Sequence, residues 1–201
     1  MVQIIKDIPP EEIIRIPAYL VRDEIEDFAY PYKGWELVLS EEKTFEDIMG
    51  SSVLQSFILE LMEIYFFTEF PNRKQYRFLG NELGSNLSKN VNLSYGKALF
   101  AKADLPKKDL QLKYTNLAPK VVIEVDVKVD TMKKSELHYI HQKVEKMFGH
   151  GVERVIWIFS DPNQIFLFEP NQAARYVPWD TDVEFTDGHY FNLQQLYDAA
   201  E

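Results

Sequence analysis

Three ionisable side chains at every second position, Glu124, Asp126 and Lys128, fall within the run VVIEVDVKVD from Val121 to Asp130. From Ile123 onward the run alternates strictly. Ile123, Val125, Val127 and Val129 point one way, and Glu124, Asp126, Lys128 and Asp130 point the other. Period two is the signature of a β-strand. Alternate side chains on one face stand about 7 Å apart, so two long carboxylates there can converge on one divalent cation. A cation held by hard oxygen ligands activates water and stabilises charge on a phosphate. Asp126-Val127-Lys128 also reads as (D/E)-x-K, a tripeptide that pairs a metal-binding acid with a lysine. The same pattern fits a solvent-facing sheet surface carrying charges of alternating sign, and the spacing does not choose between the two.

Composition narrows the chemistry. Cysteine is absent from the 201 residues, so any metal is held by oxygen or imidazole, and neither a disulfide nor a Cys-His nucleophile is available. Hydrophobic residues make up 46% of the chain and aromatics 14%, enough for a sizeable core. The start, MVQIIKDIPPEEIIRIP, lacks the apolar run of a signal peptide, and no window is long and apolar enough to span a bilayer. A soluble, cytoplasmic protein without membrane attachment is expected. The net charge of −10 argues against a simple nucleic-acid binder. The lysines are uneven, however: Lys97, Lys102, Lys107, Lys108, Lys113, Lys120, Lys128, Lys133 and Lys134 flank the charged strand.

The elements that must position these groups follow from periodicity and breakers. Pro10 to Phe28 reads as helix broken at Pro17, within a helical N-terminal extension over residues 1–34 of a single domain spanning 1–201. Trp35 to Ser40 reads as a short strand. Thr44 to Thr68 reads as a long amphipathic helix with Val53, Phe57, Leu61, Ile64 and Tyr65 on its apolar face. Tyr76 to Leu79 and Lys97 to Ala101 read as strands, separated by the Gly/Asn/Ser-rich GNELGSNLSKN, read as a loop. Lys133 to Phe148 reads as a helix, and Val155 to Phe159 and Ile165 to Phe168 as strands joined by SDPNQ. A helix from Leu193 to Ala200 closes the chain. Charged strand, helix and next strand suggest a β-α-β crossover. The class expected is α/β or α+β, a mixed sheet flanked by helices.

The segment from Pro119 to Pro162 resembles the core of the Uma-type endonuclease family, a domain with a restriction-endonuclease-like fold of the PD-(D/E)XK superfamily. The likeness is carried by Pro119, Glu124-Val125, Lys143 on the helix, Gly151-Val152, Trp157 and Asp161-Pro162. Trp35-Glu36-Leu37 resembles the family's aromatic-Glu-Leu entry. Two departures stand out. Lys120 occupies the place of the acid after the proline, and the family's earlier Pro-Asp strand aligns with Tyr95-Gly96, which leaves no upstream aspartate. The resemblance implies a divalent-metal-dependent endonuclease, a hydrolase with Mg²⁺ or Mn²⁺ on Glu124 and Asp126. It implies Lys128 or Lys143 for charge stabilisation or deprotonation of water, and Glu36 as an additional acid. Nucleic acid, DNA above all, would be the substrate, and a homodimer would suit duplex cleavage. The departures support the other reading, a catalytically degenerate nuclease fold used for nucleic-acid or protein binding.

Other residues have bland readings. His138 and His141 sit three apart on a helix, a metal-compatible spacing without an acidic partner. Lys143 flanks the apolar stripe and reads as a surface lysine whose stem covers the helix edge. Tyr76, Phe78, Tyr95 and Phe100 could stack bases but read first as core.

Overall fold

A computed structural model of the chain describes residues 16–25, 28–88, 91–110, 113–127 and 134–200. Its centre is an eight-stranded mixed sheet. In chain order the elements are β1 (Val21–Ile25), β2 (Phe28–Pro31), α1 (Trp35–Leu39), α2 (Glu46–Met49), α3 (Val53–Ile64), β3 (Tyr76–Ser88), β4 (Val91–Ala101), β5 (Val121–Asp126), α4 (Lys134–His150), β6 (Arg154–Ser160), β7 (Asn163–Phe168), β8 (Arg175–Pro178), β9 (Asp182–Thr186), β10 (His189–Asn192) and α5 (Leu193–Asp198). The strands run β2-β1-β4-β5-β6-β7-β8, with β3 paired along β4, and β9 and β10 form a separate hairpin. Pairing is antiparallel except between β5 and β6. Parallel neighbours need a crossover, and α4 provides it, as the sequence predicts. The expected class, a mixed sheet flanked by helices, is the one observed.

The period-two pattern of β5 sorts the core into two layers. Val121, Ile123 and Val125 join Ile156, Ile158, Ile165 and Leu167 beneath α3, the β9–β10 hairpin and α5. Val122 faces the other way, with Val155, Trp157, Phe159, Phe166 and Phe168, beneath Ile140, Val144 and Met147 of α4. Both faces of β5 are therefore covered, and its burial is continuous from Val121 to Val125. Arg154 of β6 ties the hairpin to the sheet, donating to the Glu184 carbonyl at 2.9 Å and pairing with Glu169 at 2.5 Å.

α3 is fixed at the end nearest the charged strand. Ser52 Oγ accepts from Gln55 N at 3.2 Å and Gln55 Oε1 accepts from Ser52 N at 2.8 Å, a reciprocal cap. The same Gln55 donates from Nε2 to the Val125 carbonyl at 3.0 Å, docking the helix start beside Asp126.

Four sequence expectations are corrected. The helical extension is not helical where it is described. Ala18–Leu20 is a single 3₁₀ turn, and β1 and β2 are strands added to the sheet edge; residues 1–15 lie outside the described residues. Trp35–Leu39 is a helix rather than a strand, because Gly34 at φ 86 supplies the left-handed residue that starts it. The long helix divides: α2 stops at Gly50, α3 starts at the Ser52 cap, and Tyr65–Glu69 continues as a π-helical turn. The apolar face rotates with that division, so Val53 is 88% exposed while Ile58, Leu61 and Met62 are buried. Finally, Gly80 to Ser88 is not a loop but the far half of β3, paired with β4 through two register shifts. The strands β8, β9 and β10 were not anticipated.

Ile58 is fully buried in the α3 layer. Ile58→Ala should therefore cost about 2–5 kcal/mol in urea unfolding, whereas Val53→Ala should stay within about 0.5 kcal/mol. Equal costs would restore the uninterrupted helix face read from sequence.

Candidate functional site

The charged face of β5 is turned inward, against α4. Glu124 is 2% exposed, and the group it meets is Lys143, which is fully buried with its Nζ 3.0 Å from Glu124 Oε1. The surface role read for Lys143 is thus corrected: it lies one helical turn from Tyr139, on the flank of α4 that presses on the sheet. Its second partner was not foreseen. Asp23 of β1, 1% exposed, places Oδ2 3.3 Å from the same ammonium. Asp23 also accepts a hydrogen bond from the Tyr139 hydroxyl and, through Oδ1, from the Ser94 amide at 3.0 Å.

A β-bulge makes this convergence feasible. Successive strand residues face opposite ways, yet Arg22 and Asp23 both reach the cluster. The pairing of β1 with β2 shifts register between Val21 and Asp23, and such a bulge re-aims a side chain. Arg22 brings Nη2 to 4.0 Å from Glu124 Oε2 and Nη1 to 3.9 Å from Asp126 Oδ1. Trp157, paired with Glu124 in the β5–β6 register, donates from Nε1 to Asp126 Oδ2 at 2.9 Å. Its ring lies beneath the Lys143 ammonium at 5.6 Å. Three carboxylates and two cations are thus gathered from β1, β5 and α4.

Position 96 explains the source of the third carboxylate. A Cβ on Gly96 would lie 3.9 Å from Glu124 Oε2, but only 2.9 Å from the Ile123 carbonyl. The position is beside the site, and the backbone leaves no room for a side chain. Asp23 reaches the same cluster from the neighbouring strand.

The cluster is closely packed but poorly hydrogen-bonded. Arg22 Nε is a buried atom without a hydrogen-bond partner, and Lys143 Nζ and Glu124 Oε1 meet as an ion pair at 3.0 Å rather than as an aligned hydrogen bond. Burial raises the Glu124 pKa above the ordinary carboxylate value, and the nearby Lys143 and Arg22 charges do not fully offset it. Asp23 goes the other way. Burial would raise it, but Lys143, Arg22 and the Tyr139 and Ser94 hydrogen bonds together hold it low. Burial would also lower Lys143, yet Asp23 and Glu124 more than reverse that, so the ammonium stays charged well beyond its ordinary range.

A cleft of about 440 Å³ opens onto one side of this centre. Arg22, Asp126 and Tyr139 form the inner part of its lining, and Tyr32, Trp35 and Glu36 belong to the same wall set. Glu36, expected as an additional acid, is an exposed α1 residue of the cleft that Asp126 also lines. Lys128 lies outside the described residues. His138 and His141 are exposed on α4, away from the carboxylates; Tyr76, Tyr95 and Phe100 are buried in the core.

Among the described residues no group of three or more acids or histidines is placed to hold a metal ion. The donors still suit a hard cation in kind. Glu124 and Asp126 each turn one oxygen toward a single cationic group, the Arg22 guanidinium. Two carboxylate oxygens with water and substrate completing the shell is a normal arrangement for Mg²⁺.

No family model matches the chain, and no curated protein is similar to it. Among solved structures it is similar to a DUF820 protein of Anabaena variabilis, one proposed to be a nuclease. The TM-score is 0.61 at 14% identity, over 88% of this chain and 89% of the other. Identity that low establishes the fold alone, and the fold is restriction-endonuclease-like. Among the described residues no helix is long and apolar enough to cross a membrane.

The raised Glu124 pKa has a sign that can be measured. The folded state binds this proton more tightly than the unfolded chain does. Glu124 therefore contributes stability that is complete below its unfolded value of about 4.3 and lost as pH rises through the raised folded value. Urea midpoints of Glu124→Gln relative to wild type should move in favour of the variant between pH 4 and pH 7. Movement the other way would mean that the site stabilises the Glu124 anion.

Proposed function

We propose that the protein is a nuclease hydrolysing phosphodiester bonds of nucleic acid, DNA in the first instance, at the Glu124–Asp126–Lys143 centre. The observation that carries this is the buried charge cluster of Asp23, Glu124 and Lys143, which reaches the cleft through Arg22 and Asp126. Desolvated ion pairs of this kind are poor stabilisers compared with apolar packing, and perturbed acids beside a cleft are characteristic of functional sites. The fold shared with a DUF820 protein proposed to be a nuclease agrees with the reading.

The roles follow from position and protonation. Glu124 and Asp126 would hold Mg²⁺ or Mn²⁺, with Trp157 fixing the rotamer of Asp126 through its second oxygen. Such an ion, when bound, supplies a Lewis acid for the phosphate and lowers the pKa of a coordinated water. Arg22 lines the cleft with its Nη atoms 4.0 and 3.9 Å from the two carboxylates; with those oxygens given to an ion, its guanidinium would be available to clamp two phosphate oxygens. Lys143 is held as an ammonium, which fits charge stabilisation and rules it out as the base that deprotonates water. Asp23 positions Lys143 from behind. Glu36, on α1, would orient water or substrate from another part of the cleft.

A second reading has its own observation. Arg22 and Lys143 already neutralise both oxygens of Glu124, so the chain could bind nucleic acid without a metal and without cleavage. Mn²⁺ titration by calorimetry, followed by plasmid cleavage, separates the two. The nuclease reading expects Mn²⁺ binding that Glu124→Ala removes, together with a loss of cleavage of about 100-fold or more, the upper end of what even outer-shell changes cost. Absence of both from the wild type, with DNA present, would leave the binding module. Arg22→Gln, which removes the competing cation, should tighten Mn²⁺ binding while weakening DNA binding. Weaker Mn²⁺ binding by this variant would overturn the exchange of guanidinium for metal.

A further inference from the structure

A second concave surface of about 400 Å³ lies on the α3 side of the sheet, beside the edge strand β3. Its chemistry is opposite to that of the chain as a whole. Arg73, Lys74, Arg77 and Lys102 line it together with Phe66 and Phe67. On a chain of net charge −10 Arg73, Lys74 and Lys102 stand together here, and none has a carboxylate within ion-pair distance among the described residues.

The arrangement is built rather than incidental. The 3₁₀ turn Arg73–Gln75 is locked to the turn after β4, since Lys102 N donates to the Gln75 carbonyl at 2.8 Å and Lys102 Nζ to the Lys74 carbonyl at 2.7 Å. Arg77, paired with Phe100 in the β3–β4 register, turns instead to the α4 face of the sheet, where its Nε donates to the Leu105 carbonyl at 2.8 Å. The π-helical turn after α3 presents consecutive phenylalanines in opposite senses. Phe66 is buried in the core and Phe67 is 58% exposed. An exposed ring beside a row of unpaired cations combines a stacking platform with an electrostatic track, the two elements of sequence-tolerant single-strand recognition.

We propose that this groove binds a single-stranded nucleic-acid segment, its phosphates on Arg73, Lys74 and Lys102 and a base on Phe67. It lies on the opposite face of the sheet from Lys143 and Glu124, whose neighbours belong to the α4 layer. The inference deepens the nuclease reading by naming a substrate form and a docking point remote from the cleavage centre.

The test is fluorescence anisotropy with a labelled 15-nucleotide oligothymidine in EDTA, so that hydrolysis does not enter. Arg73→Glu/Lys74→Glu changes two exposed residues, and Phe67→Ala an exposed ring; circular dichroism checks that both variants fold. The wild type should bind with a steep salt dependence. The double variant should bind at least tenfold more weakly, with the slope of log K against log salt reduced by about 1.4, or 0.7 per lost phosphate contact. Phe67→Ala should weaken oligothymidine several-fold but leave an abasic oligomer of equal length unchanged. Wild-type affinity in the double variant, no binding by the wild type, tighter binding of duplex, or equal binding of a polyglutamate would each overturn the proposal. Hydrolysis of bis(p-nitrophenyl) phosphate, too small to span both surfaces, reports on the cleft separately. Hydrolysis without oligomer binding removes the groove alone, and binding without any hydrolysis removes the nuclease reading alone.

Discussion

The burial of one ammonium organises this molecule. Lys143 is fully enclosed, 3.0 Å from Glu124 and 3.3 Å from Asp23, and those three residues come from α4, β5 and β1. A charge removed from water is tolerated only when opposite charges are held close to it. The contact therefore constrains each of its donors: α4 must keep its Lys143 flank on the sheet, β5 must keep its register with β6, and β1 must stay on the edge of β4. The aromatic surroundings intensify the constraint. Tyr139 and Trp157 flank the ammonium with ring centroids at 5.8 and 5.6 Å, which excludes water and lowers the local dielectric. In such surroundings the attraction between charges grows, and so does the penalty for any of them left alone.

The opposite pKa displacements of Asp23 and Glu124 follow from that enclosure. Both carboxylates are buried and both touch Lys143, but Asp23 also accepts from the Ser94 amide and the Tyr139 hydroxyl. Glu124 has the Lys143 and Arg22 contacts only, with no backbone amide or hydroxyl donor beside them. Hydrogen bonds that favour the anion separate two otherwise similar acids. Pairs of titratable groups pushed apart in this way are where acid and base roles are found. Of the two, Glu124 is the one whose anion is less well compensated for its burial, and it shares its strand face with Asp126, which lines the cleft.

Much of this was legible in the chain, and the parts that were not share a cause. The period of Ile123, Val125 and Glu124 identified the strand and separated its two faces, and the apolar spacing of Ile140, Val144 and Met147 identified α4. Short-range patterns therefore led to β5, α4, β6 and their crossover. That the charged side of β5 is covered as well as the apolar side is set by α4 packing over it, a relation between residues some twenty positions apart, and periodicity carries no sign for it. Asp23 and Arg22 lie in the segment Pro10 to Phe28, which reads as helix broken at Pro17, whereas its pairing with β2 and β4 is decided by distant partners. The Gly/Asn/Ser composition of Gly80 to Ser88 favoured a loop, yet β4 supplies hydrogen-bond partners along its length, so tertiary pairing overrode local preference.

The absence of an acid at position 96 is better understood as a matter of space than of loss. Beside Ile123, a Cβ there would stand 2.9 Å from a backbone carbonyl, which real side chains do not tolerate, so β4 and β5 approach each other more closely than an aspartate would allow. The carboxylate that Lys143 still requires must then come from another strand, and the sheet edge is the nearest source. A regular β1 would send Arg22 and Asp23 to opposite faces; the register shift at Val21–Asp23 sends both inward, one to Lys143 and one to the β5 carboxylates. The glycine on β4 and the bulge on β1 are thus two halves of one solution. A strand that in isolation reads as helix is retained at the edge because its two charged residues complete a centre that β4 and β5 leave one acid short.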